Sequence, residues 1–369
     1  MANNNIKSSK DNWQLARDAF FKFLEDVDQA RWKLHCNISN AWFRGQEKDW
    51  PLEASLFRGN NSAITQVGLT ASVEQFIDQI IRKKKEIVNL KKQIHQAFRM
   101  AQLNDGSEHI ALSHQLGILK KEKAEIRRNL ALTKNRLRKT EQEYVQKFSK
   151  EGESEAFVNW SRRGSSSSKN SWEILAEMQH YKVKTRLLDW TEDLSIALYF
   201  ALKDHIDYYL TILNSAEHKR EKNPFFLLEN SEPCIYILNP YRLAHFATGQ
   251  LRIFDPTLEE LEYHESFLTK KNWPYRHPVP IYPPWRNPRI TAQRGMFTVQ
   301  GTLWEALDVQ LANKTNDILA KIRLTPLAAS YATRHILSFI DINRFDIYQD
   351  LDALGICIND EFLDKKRRH

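Results

Sequence analysis

Arginines and a glutamine in separated stretches are the residues of this chain best suited to chemistry. They are Arg44, Arg58, Arg186 and Gln293, and the aromatic residues Trp190 and Phe297 lie in the same stretches. Guanidinium groups bind phosphates through paired hydrogen bonds, and aromatic rings bind bases by stacking. The set predicts an anion-binding cleft, floored by Trp190 and Phe297, that suits a nucleotide.

Arg44 lies in the apolar stretch Trp42–Gln46, where an unpaired guanidinium would be costly. It therefore needs either a bound anion or a carboxylate of the protein itself. Asp189 is the candidate for an internal salt bridge. The sequence leaves both alternatives open.

An acid–base pair is a second interpretation of the same region. His180 and Asp189 are residue types that general acid–base cleavage of a phosphodiester uses, with Arg44 and Arg186 neutralising the phosphate. A single histidine beside a helix end is more often structural. A catalytic role for this pair is therefore a hypothesis that competes with a packing role.

Residues 179–202 must position these groups. Tyr181–Trp190 mixes β-branched, aromatic and charged residues as a strand does, and Ser195–Leu202 has helical spacing. Thr191 and Asp193 both suit the N-cap between them, and the free N–H groups of a first helical turn often hold anions. On periodicity alone, an ordinary buried strand–helix junction is the better explanation.

Other elements predicted around this centre indicate an α+β fold with a mixed sheet. The predicted strands are 41–46, 234–238, 293–299 and 321–324, and an amphipathic helix is predicted over Trp13–Trp32. The stretch Trp273–Arg289 is rich in proline and aromatic residues, which predicts an ordered surface loop or lid.

A basic segment interrupts this pattern. Residues 72–150 contain 18 Lys and Arg and 9 Asp and Glu, which leaves 36 and 37 for the rest of a chain whose formal charge is +8. Apolar residues recur there every three or four positions on both sides of Asn104-Asp105-Gly106. We expect a long antiparallel, coiled-coil hairpin with arms of about 45 Å or more. Its lysines and arginines would either grip phosphates or simply solvate the helices.

The position of this segment predicts a discontinuous domain. Residues 1–71 and 151–369 carry the candidate site residues on both sides, so 72–150 reads as an insertion. The apolar seam of each arm would be covered by the other arm or by a second copy of the protein.

Several classes of protein lack support in the sequence. There is no P-loop, HExxH, GxSxG or paired CxxC motif, which argues against P-loop, zinc-hydrolase and serine-hydrolase mechanisms and predicts no metal. Three scattered cysteines, Cys36, Cys234 and Cys357, form no disulfide framework. No apolar run of membrane-spanning length or basic-then-apolar leader occurs, so we expect a cytoplasmic protein without a membrane partner.

Several motifs, in order, resemble the FRG domain, which is named for its Phe-Arg-Gly motif. They are WFRGQ, WPLEASLFR, QHYKVKTRLLDWTEDLSIALYFAL, AQRGMFTVQG and IYQDLDALG. The resemblance extends over about residues 30–360 apart from the basic segment. The family implies a domain type more firmly than it implies a reaction.

A second resemblance is to ADP-ribosyltransferases of the Arg-Ser-Glu type. Phe43-Arg44-Gly45 is similar to the family's first element, a strand whose arginine holds the phosphate of NAD. Leu188–Thr191 with the following helix is similar to its second element, a strand that ends in a Ser/Thr-rich motif and leads into a helix. The third element, an (E/Q)-x-Glu motif that supplies the catalytic glutamate before a later strand, is not matched, because this chain has Gln293-Arg294-Gly295 there. A carboxylate that would stabilise an oxocarbenium-like transition state must then come from Glu192, Glu177 or Asp189.

The residues and the resemblance together predict a site and three functions. Predicted catalytic residues are Asp189, Glu192, Gln293 and His180, and predicted cofactor-binding residues are Arg44, Gly45, Gln46, Arg58, Gln179, Thr185, Arg186, Trp190, Thr191 and Phe297. The leading hypothesis is an NAD-dependent ADP-ribosyltransferase-like enzyme that modifies a protein or nucleic acid, as a toxin or antiphage effector does. The alternatives are a nucleic-acid-binding or nucleic-acid-cleaving protein and a non-catalytic module that forms homo-oligomers through the hairpin.

Overall fold

A computed structural model describes residues 9–37, 40–58, 73–101, 107–152, 171–214, 232–256, 258, 263–269, 273–283, 288–312, 317–335 and 342–367. Its helices are α1 (Ser9–Lys33), α2 (Val73–Ala101), α3 (Ser107–Gly152), α4 (Ser171–His180), α5 (Leu194–Ala201), α6 (Lys203–Asn214), α7 (Pro240–Thr248), α8 (Pro288–Ala292), α9 (Leu307–Leu311), α10 (Pro326–His335), α11 (Arg344–Tyr348) and α12 (Leu351–Arg367). A short π-helix spans His264–Leu268. The strands are β1 (Trp42–Gln46), β2 (Leu187–Thr191), β3 (Cys234–Leu238), β4 (Val279–Ile281), β5 (Gly295–Val299) and β6 (Leu319–Arg323).

The strands form one six-stranded sheet in the order β4-β5-β2-β1-β3-β6. Every neighbouring pair is antiparallel. The combination of helices with one sheet agrees with the predicted α+β class. The predicted mixed sheet is wrong, because neighbouring strands are antiparallel throughout the described sheet. The strands predicted over 41–46 and 234–238 are confirmed, as is the N-terminal helix.

The sheet is almost divided between β1 and β2. These strands share a single registered pair, Phe43 with Thr191, whereas β1 pairs with β3 at five positions and β2 pairs with β5 at five positions. Two half-sheets, β4-β5-β2 and β1-β3-β6, therefore diverge from one point. The divergence opens a gap in the middle of the molecule.

Apolar clusters cover both faces of the half-sheets. One lies between β1, β3 and helices α1, α5 and α10, and it includes Phe20, Phe23, Phe43, Ile235 and Ile237. A second packs α4 and the π-helix on β2, β4 and β5 and includes Trp172, Phe267, Trp273, Val279 and Phe297. A third, on the opposite face, includes Trp42, Leu188, Trp190, Tyr236 and Met296.

The strand predicted over Tyr181–Trp190 is too long at its beginning. Helix α4 runs to His180, Lys182 adopts a left-handed backbone with φ of 60°, and β2 starts only at Leu187. A residue with positive φ cannot continue a strand, so the chain turns between α4 and β2. Asp193 is the N-cap of α5, because its carboxylate accepts a hydrogen bond from the Ser195 amide at 2.8 Å.

The prediction of a surface loop over Trp273–Arg289 is wrong for Val279–Ile281, whereas residues 273–278 have no regular secondary structure. Val279–Ile281 forms the edge strand β4, and Trp273, Val279 and Ile281 are buried in the second cluster. Proline at position 280 is compatible with an edge strand because one side of such a strand needs no N–H donors.

The basic segment forms two long helices, α2 and α3, that pack against each other. Ile87 and Leu90 of α2 are buried, and Lys83 of α2 lies 2.9 Å from Glu122 of α3. The predicted turn at Asn104-Asp105-Gly106 lies outside the described residues. The far half of α3 continues into the body of the protein and contacts α4 and the π-helix.

Candidate functional site

A cavity of about 810 Å³ lies at the divergence of β1 and β2. It is lined by residues of β1, β2, α4, α5 and α8 and of the segment that follows β1. The predicted site residues that line it are Arg44, Gly45, Gln46, Arg58, Gln179, His180, Asp189, Trp190, Thr191, Gln293 and Phe297. The three separated sequence stretches thus meet at one cavity. Thr185, Arg186 and Glu192 are not among the lining residues.

Arg44 is the most unusual group in this cavity. Its Nη1 donates a hydrogen bond to the Asp189 backbone carbonyl at 2.7 Å and lies 3.8 Å from the Asp189 carboxylate, and its side chain is 14% exposed. Its Nε is buried and has no hydrogen-bond partner among the described residues. Burial lowers the pKa of Arg44 to about 10, against the opposing effect of Asp189, and the positive charge of Arg58 lowers it further. The guanidinium is therefore incompletely compensated.

A chain of hydrogen bonds fixes Asp189 at the wall of the cavity. Gln179 donates from Nε2 to both carboxylate oxygens, at 3.0 and 2.9 Å, and its Oε1 accepts from the Thr185 hydroxyl. Thr185 is held in turn by Ser55, whose Oγ accepts from the Thr185 amide at 3.0 Å. Thr185 is thus a buried support for the site rather than a ligand-contacting residue. The Asp189 side chain is about half exposed, and Asp189 lines the cavity.

Gly45 owes its identity to packing. A Cβ built on Gly45 would lie 1.8 Å from the Ala197 carbonyl oxygen of α5, a distance that no side chain tolerates. The glycine lets β1 approach the helix that follows β2. Gly45 thus brings Arg44 and α5 together, and its role in holding a cofactor stays a prediction.

Thr191 and Gln293 are largely occupied by contacts within the protein. The Thr191 hydroxyl donates to the Gln293 carbonyl at 2.7 Å and accepts from the Asp193 amide at 3.0 Å. The side-chain Nε2 of Gln293 donates a hydrogen bond to the Ile347 carbonyl at 3.0 Å. Both side chains border the cavity, but their polar atoms stabilise the junction of β2, β5 and α11.

Arg186 is not part of the cavity, although the sequence predicted it as a cofactor-binding residue. It is buried in an ion pair with Glu141 of α3, with Nε 2.6 Å from Oε1, and Tyr263 donates to the same carboxylate at 3.0 Å. The guanidinium also lies 4.3 Å from the centre of the Phe267 ring. Burial alone would lower the pKa of Arg186, but Glu141 raises it above its ordinary value. Arg186 therefore anchors α3 to the sheet and is not available to a ligand.

His180 and Asp189 do not form the predicted acid–base pair. No hydrogen bond joins them: Asp189 is bound by Gln179, and the Nδ1 of His180 is buried without a partner among the described residues. Burial lowers the pKa of His180 to about 4, and the nearby Arg289 contributes to the lowering. The imidazole is neutral at pH 7 and packs edge-on against Tyr181 at 4.6 Å.

Glu192 lies away from the cavity lining. Burial raises the pKa of its carboxyl group, while Arg294 and a hydrogen bond from Trp42 act in the opposite direction. Asp189 is consequently the predicted catalytic carboxylate that borders the cavity.

Several cavity residues were missed by the sequence-based prediction. They are Glu47, Trp50, Glu53, Lys182, Lys203 and Arg289. Arg289 belongs to the stretch predicted to be a surface loop. It lies four residues before Gln293, and its carbonyl accepts a hydrogen bond from the Gln293 backbone N–H at 3.0 Å. That spacing was the one signal for it. The others depend on contacts that short-range patterns do not contain.

The family comparison agrees with the resemblance to the FRG domain. Residues 119–209 match the FRG domain model. The match covers only part of the chain, from α3 into α6. The match contains β2 and α5 but not β1, where the Phe-Arg-Gly motif itself lies. It begins inside α3, within the stretch predicted to be an insertion, and it includes Glu141; the boundaries at residues 72 and 150 stay a prediction.

No curated protein and no solved structure matches this chain. In the part of the chain that the structure describes, no helix is both long and apolar enough to traverse a bilayer. Among the same residues, no group of three or more His, Cys, Asp or Glu side chains could hold a metal ion.

Proposed function

We propose that the cavity between the half-sheets binds a phosphate-bearing nucleotide, with NAD as the candidate, and that the protein is an ADP-ribosyltransferase-like enzyme. The observation that carries the proposal is Arg44, a mostly buried guanidinium with an unpartnered Nε beside a large cavity. A phosphate would supply the compensation that Asp189 provides only in part. NAD supplies an ADP-ribosyl group when it is bound.

The size and charge of the cavity support a nucleotide. Its volume of about 810 Å³ is within the range of small-molecule sites, roughly 300–1,000 Å³. Its lining contains more cationic than acidic side chains: Arg44, Arg58, Lys182, Lys203 and Arg289 against Glu47, Glu53 and Asp189. Trp50, which is half exposed, and Phe200 offer apolar surface for a base.

The order of the central strands supports the likeness to ADP-ribosyltransferases. The Phe-Arg-Gly strand, the strand before α5 and the strand after Gln293 carry the likeness, and they are three consecutive strands of the sheet, β1, β2 and β5, with β2 in the middle. The helices α2 and α3 are compatible with a coiled-coil hairpin. Asp189 is the carboxylate best placed to hold negative charge beside a reacting centre, because Gln179 orients it.

Binding and turnover of NAD test this proposal. We expect Arg44→Ala to weaken NAD binding about tenfold or more, since a hydrogen bond to a charged group contributes about 1.5–3 kcal/mol. Asp189→Asn should retain binding and lose NAD consumption. Isothermal titration calorimetry and nicotinamide release measure the two effects separately.

Arg323→Ala is the matched control, because Arg323 is an exposed arginine of the same sheet that lies outside the cavity and pairs with Asp49 at 2.7 Å. It should leave NAD binding unchanged. Absence of NAD binding and consumption by the folded wild-type protein would overturn the proposal.

A toxin or antiphage role is the cellular form of the same proposal. Expression of the wild-type chain should slow the growth of a host cell or of an infecting phage, and Arg44→Ala and Asp189→Asn should relieve that effect. Cys36, Cys234 and Cys357 form no disulfide with one another in the structure, which is compatible with a cytoplasmic site of action.

The basic helices favour a second candidate function, binding or cleavage of nucleic acid. Binding is the better supported part, because His180 and Asp189 are not paired for phosphodiester cleavage. A third candidate, oligomerisation through α2 and α3, would bury apolar residues of the arms against a second copy of the protein. Comparing the mass in solution of the wild-type protein with that of a variant lacking residues 72–150 tests it.

A further inference from the structure

Charges on α2 differ between the two sides of its buried stripe. The stripe contains Ile87 and Leu90, which face α3. On a helical wheel with 100° per residue, Lys84 and Lys91 lie on one side of this stripe, and Glu86 and Arg82 lie on the other. Both lysines and the glutamate are exposed.

Charges on α3 also differ between its two sides. Leu137 is buried and Ile126 is half-buried, and they mark the side that packs inward. Lys120 and Arg127 lie on one side of this stripe on the helical wheel, and Glu122 and Glu125 lie on the other.

Lys83 shows how the two helices are aligned. Its Nζ lies 3.1 Å from Glu86 on its own helix and 2.9 Å from Glu122 on the other. The side of α2 that carries Glu86 and the side of α3 that carries Glu122 therefore face the same way. The basic sides must then form one common face on the opposite side of the helix pair, which we call the basic face: Lys84, Lys91, Lys120 and Arg127.

The basic face is regular and uncompensated. All four side chains are exposed, and none of them makes an ion pair with another residue that the structure describes. Lys84 and Lys91, like Lys120 and Arg127, are seven residues apart, a rise of about 10 Å along a helix. Because Lys83 lies opposite Glu122 and the two helices run in opposite directions, Lys84 is level with Lys120 to within about one residue. Lys91 then lies about 10 Å to one side of this pair and Arg127 about 10 Å to the other, so the cations stand at three levels over about 20 Å.

We propose that the basic face binds the phosphate backbone of double-stranded DNA. A straight array of cations matches a rigid polyanion that carries one charge per about 1.7 Å of axis, and 20 Å is more than half of a turn of about 34 Å. None of the four residues of the basic face is Phe, Tyr or Trp, which favours a duplex over a single strand. Binding is independent of base sequence and of the cavity.

Fluorescence anisotropy with a labelled 24-base-pair DNA duplex, titrated at several KCl concentrations, tests the proposal on the full-length protein. We expect the logarithm of affinity to fall with the logarithm of salt at a slope of about −3 to −4, because four phosphate contacts each contribute about −0.9. The variant Lys84→Gln, Lys91→Gln, Lys120→Gln and Arg127→Gln should bind at least tenfold more weakly at 100 mM KCl, with a slope close to zero.

The chain offers a matched control. A second set of exposed cations also contains three lysines and one arginine: Lys85, Lys92, Lys121 and Arg128. On the helical wheel these residues lie at the outer edges of the helix pair and not on the basic face. Their fourfold change to Gln removes the same charge and should change affinity less than threefold. Equal losses in the two variants would mean that only net charge matters and would overturn the proposal.

Other arms of the experiment give further decisive outcomes. Arg44→Ala should bind the duplex as tightly as the wild type does, so failure of nucleotide binding and failure of DNA binding are distinguishable. Tighter binding to an RNA duplex or to single-stranded DNA than to duplex DNA, or no binding to any of them, contradicts the assignment.

Discussion

Gly45 shows how one residue determines the architecture of the cavity. Because its Cα approaches the Ala197 carbonyl so closely, β1 and α5 can be neighbours only if position 45 has no side chain. The glycine of the Phe-Arg-Gly motif thus sets where the arginine before it can stand.

We expect Gly45→Ala to lower the free energy of unfolding by about 3 kcal/mol, as overpacking of a tight core contact does. Gly117→Ala is the control, since a Cβ at that helical position meets nothing within 4 Å, and it should raise stability by about 0.5–1 kcal/mol. Urea denaturation of both variants measures the difference. A Gly45→Ala protein as stable as the wild type would contradict the packing role.

His180 makes stability depend on pH. Its pKa is lowered from 6.5 to about 4 in the folded protein, mainly by burial. The unfolded chain takes up a proton below about pH 6.5 that the folded chain does not, so this stability is present above pH 6.5 and is lost as pH falls toward 4.

The variant His180→Asn should show a smaller decline in the free energy of unfolding between pH 6.5 and pH 4 than the wild type does. Chemical denaturation at pH steps across this interval measures the two slopes. Identical slopes would mean that His180 titrates normally in the folded state.

At the scale of elements, α3 is fastened to the sheet by one buried ion pair. Glu141 and Arg186 have side-chain exposures of 4% and 6%, so loss of one partner leaves an uncompensated buried charge. Gln142 adds a hydrogen bond from α3 to the Leu268 carbonyl of the π-helix.

Glu141→Gln should therefore lower the free energy of unfolding by about 3–5 kcal/mol. The double variant Glu141→Leu with Arg186→Met should lose less than Glu141→Gln does, because no charge is left buried. Exposed Glu143, two residues further along α3, is the control and should tolerate Gln within about 0.5 kcal/mol. Thermal and urea unfolding compare the three proteins, and equal losses at positions 141 and 143 would exclude the anchor.

Elements with a strong local pattern were predictable from sequence. The continuous apolar run of β3 and the spacing of α1 needed no tertiary information. The start of β2 was not predictable, because it depends on the left-handed turn at Lys182, and β4 was missed because its proline resembles that of a loop.

The candidate site was predictable only in part. Arg44, Asp189 and Gln293 border one cavity, as their stretches suggested. Arg186 has the same local character as Arg44, yet its partner lies 45 residues away in a helix predicted to be an insertion. Which arginine meets a cavity and which meets a carboxylate depends on long-range packing, and no spacing rule expresses it.

On the scale of the whole molecule, α3 joins the two surfaces for which we propose ligands. It has 46 residues and thus a length of about 69 Å, with Lys120 and Arg127 on its outer part and Glu141 in the body. Arg186, the partner of Glu141, is three residues from Asp189 at the cavity wall. The two proposed sites are connected by a single continuous helix.

That continuity constrains how relatives of this chain can vary in length. Each residue added to or removed from α3 between Arg127 and Glu141 turns everything beyond it by about 100° and moves it by about 1.5 Å. Seven residues restore the orientation to within about 20°, whereas five rotate the outer part by about 140°. In relatives that keep the orientation of the basic face, we therefore expect α2 and α3 to differ in length by matched multiples of seven residues.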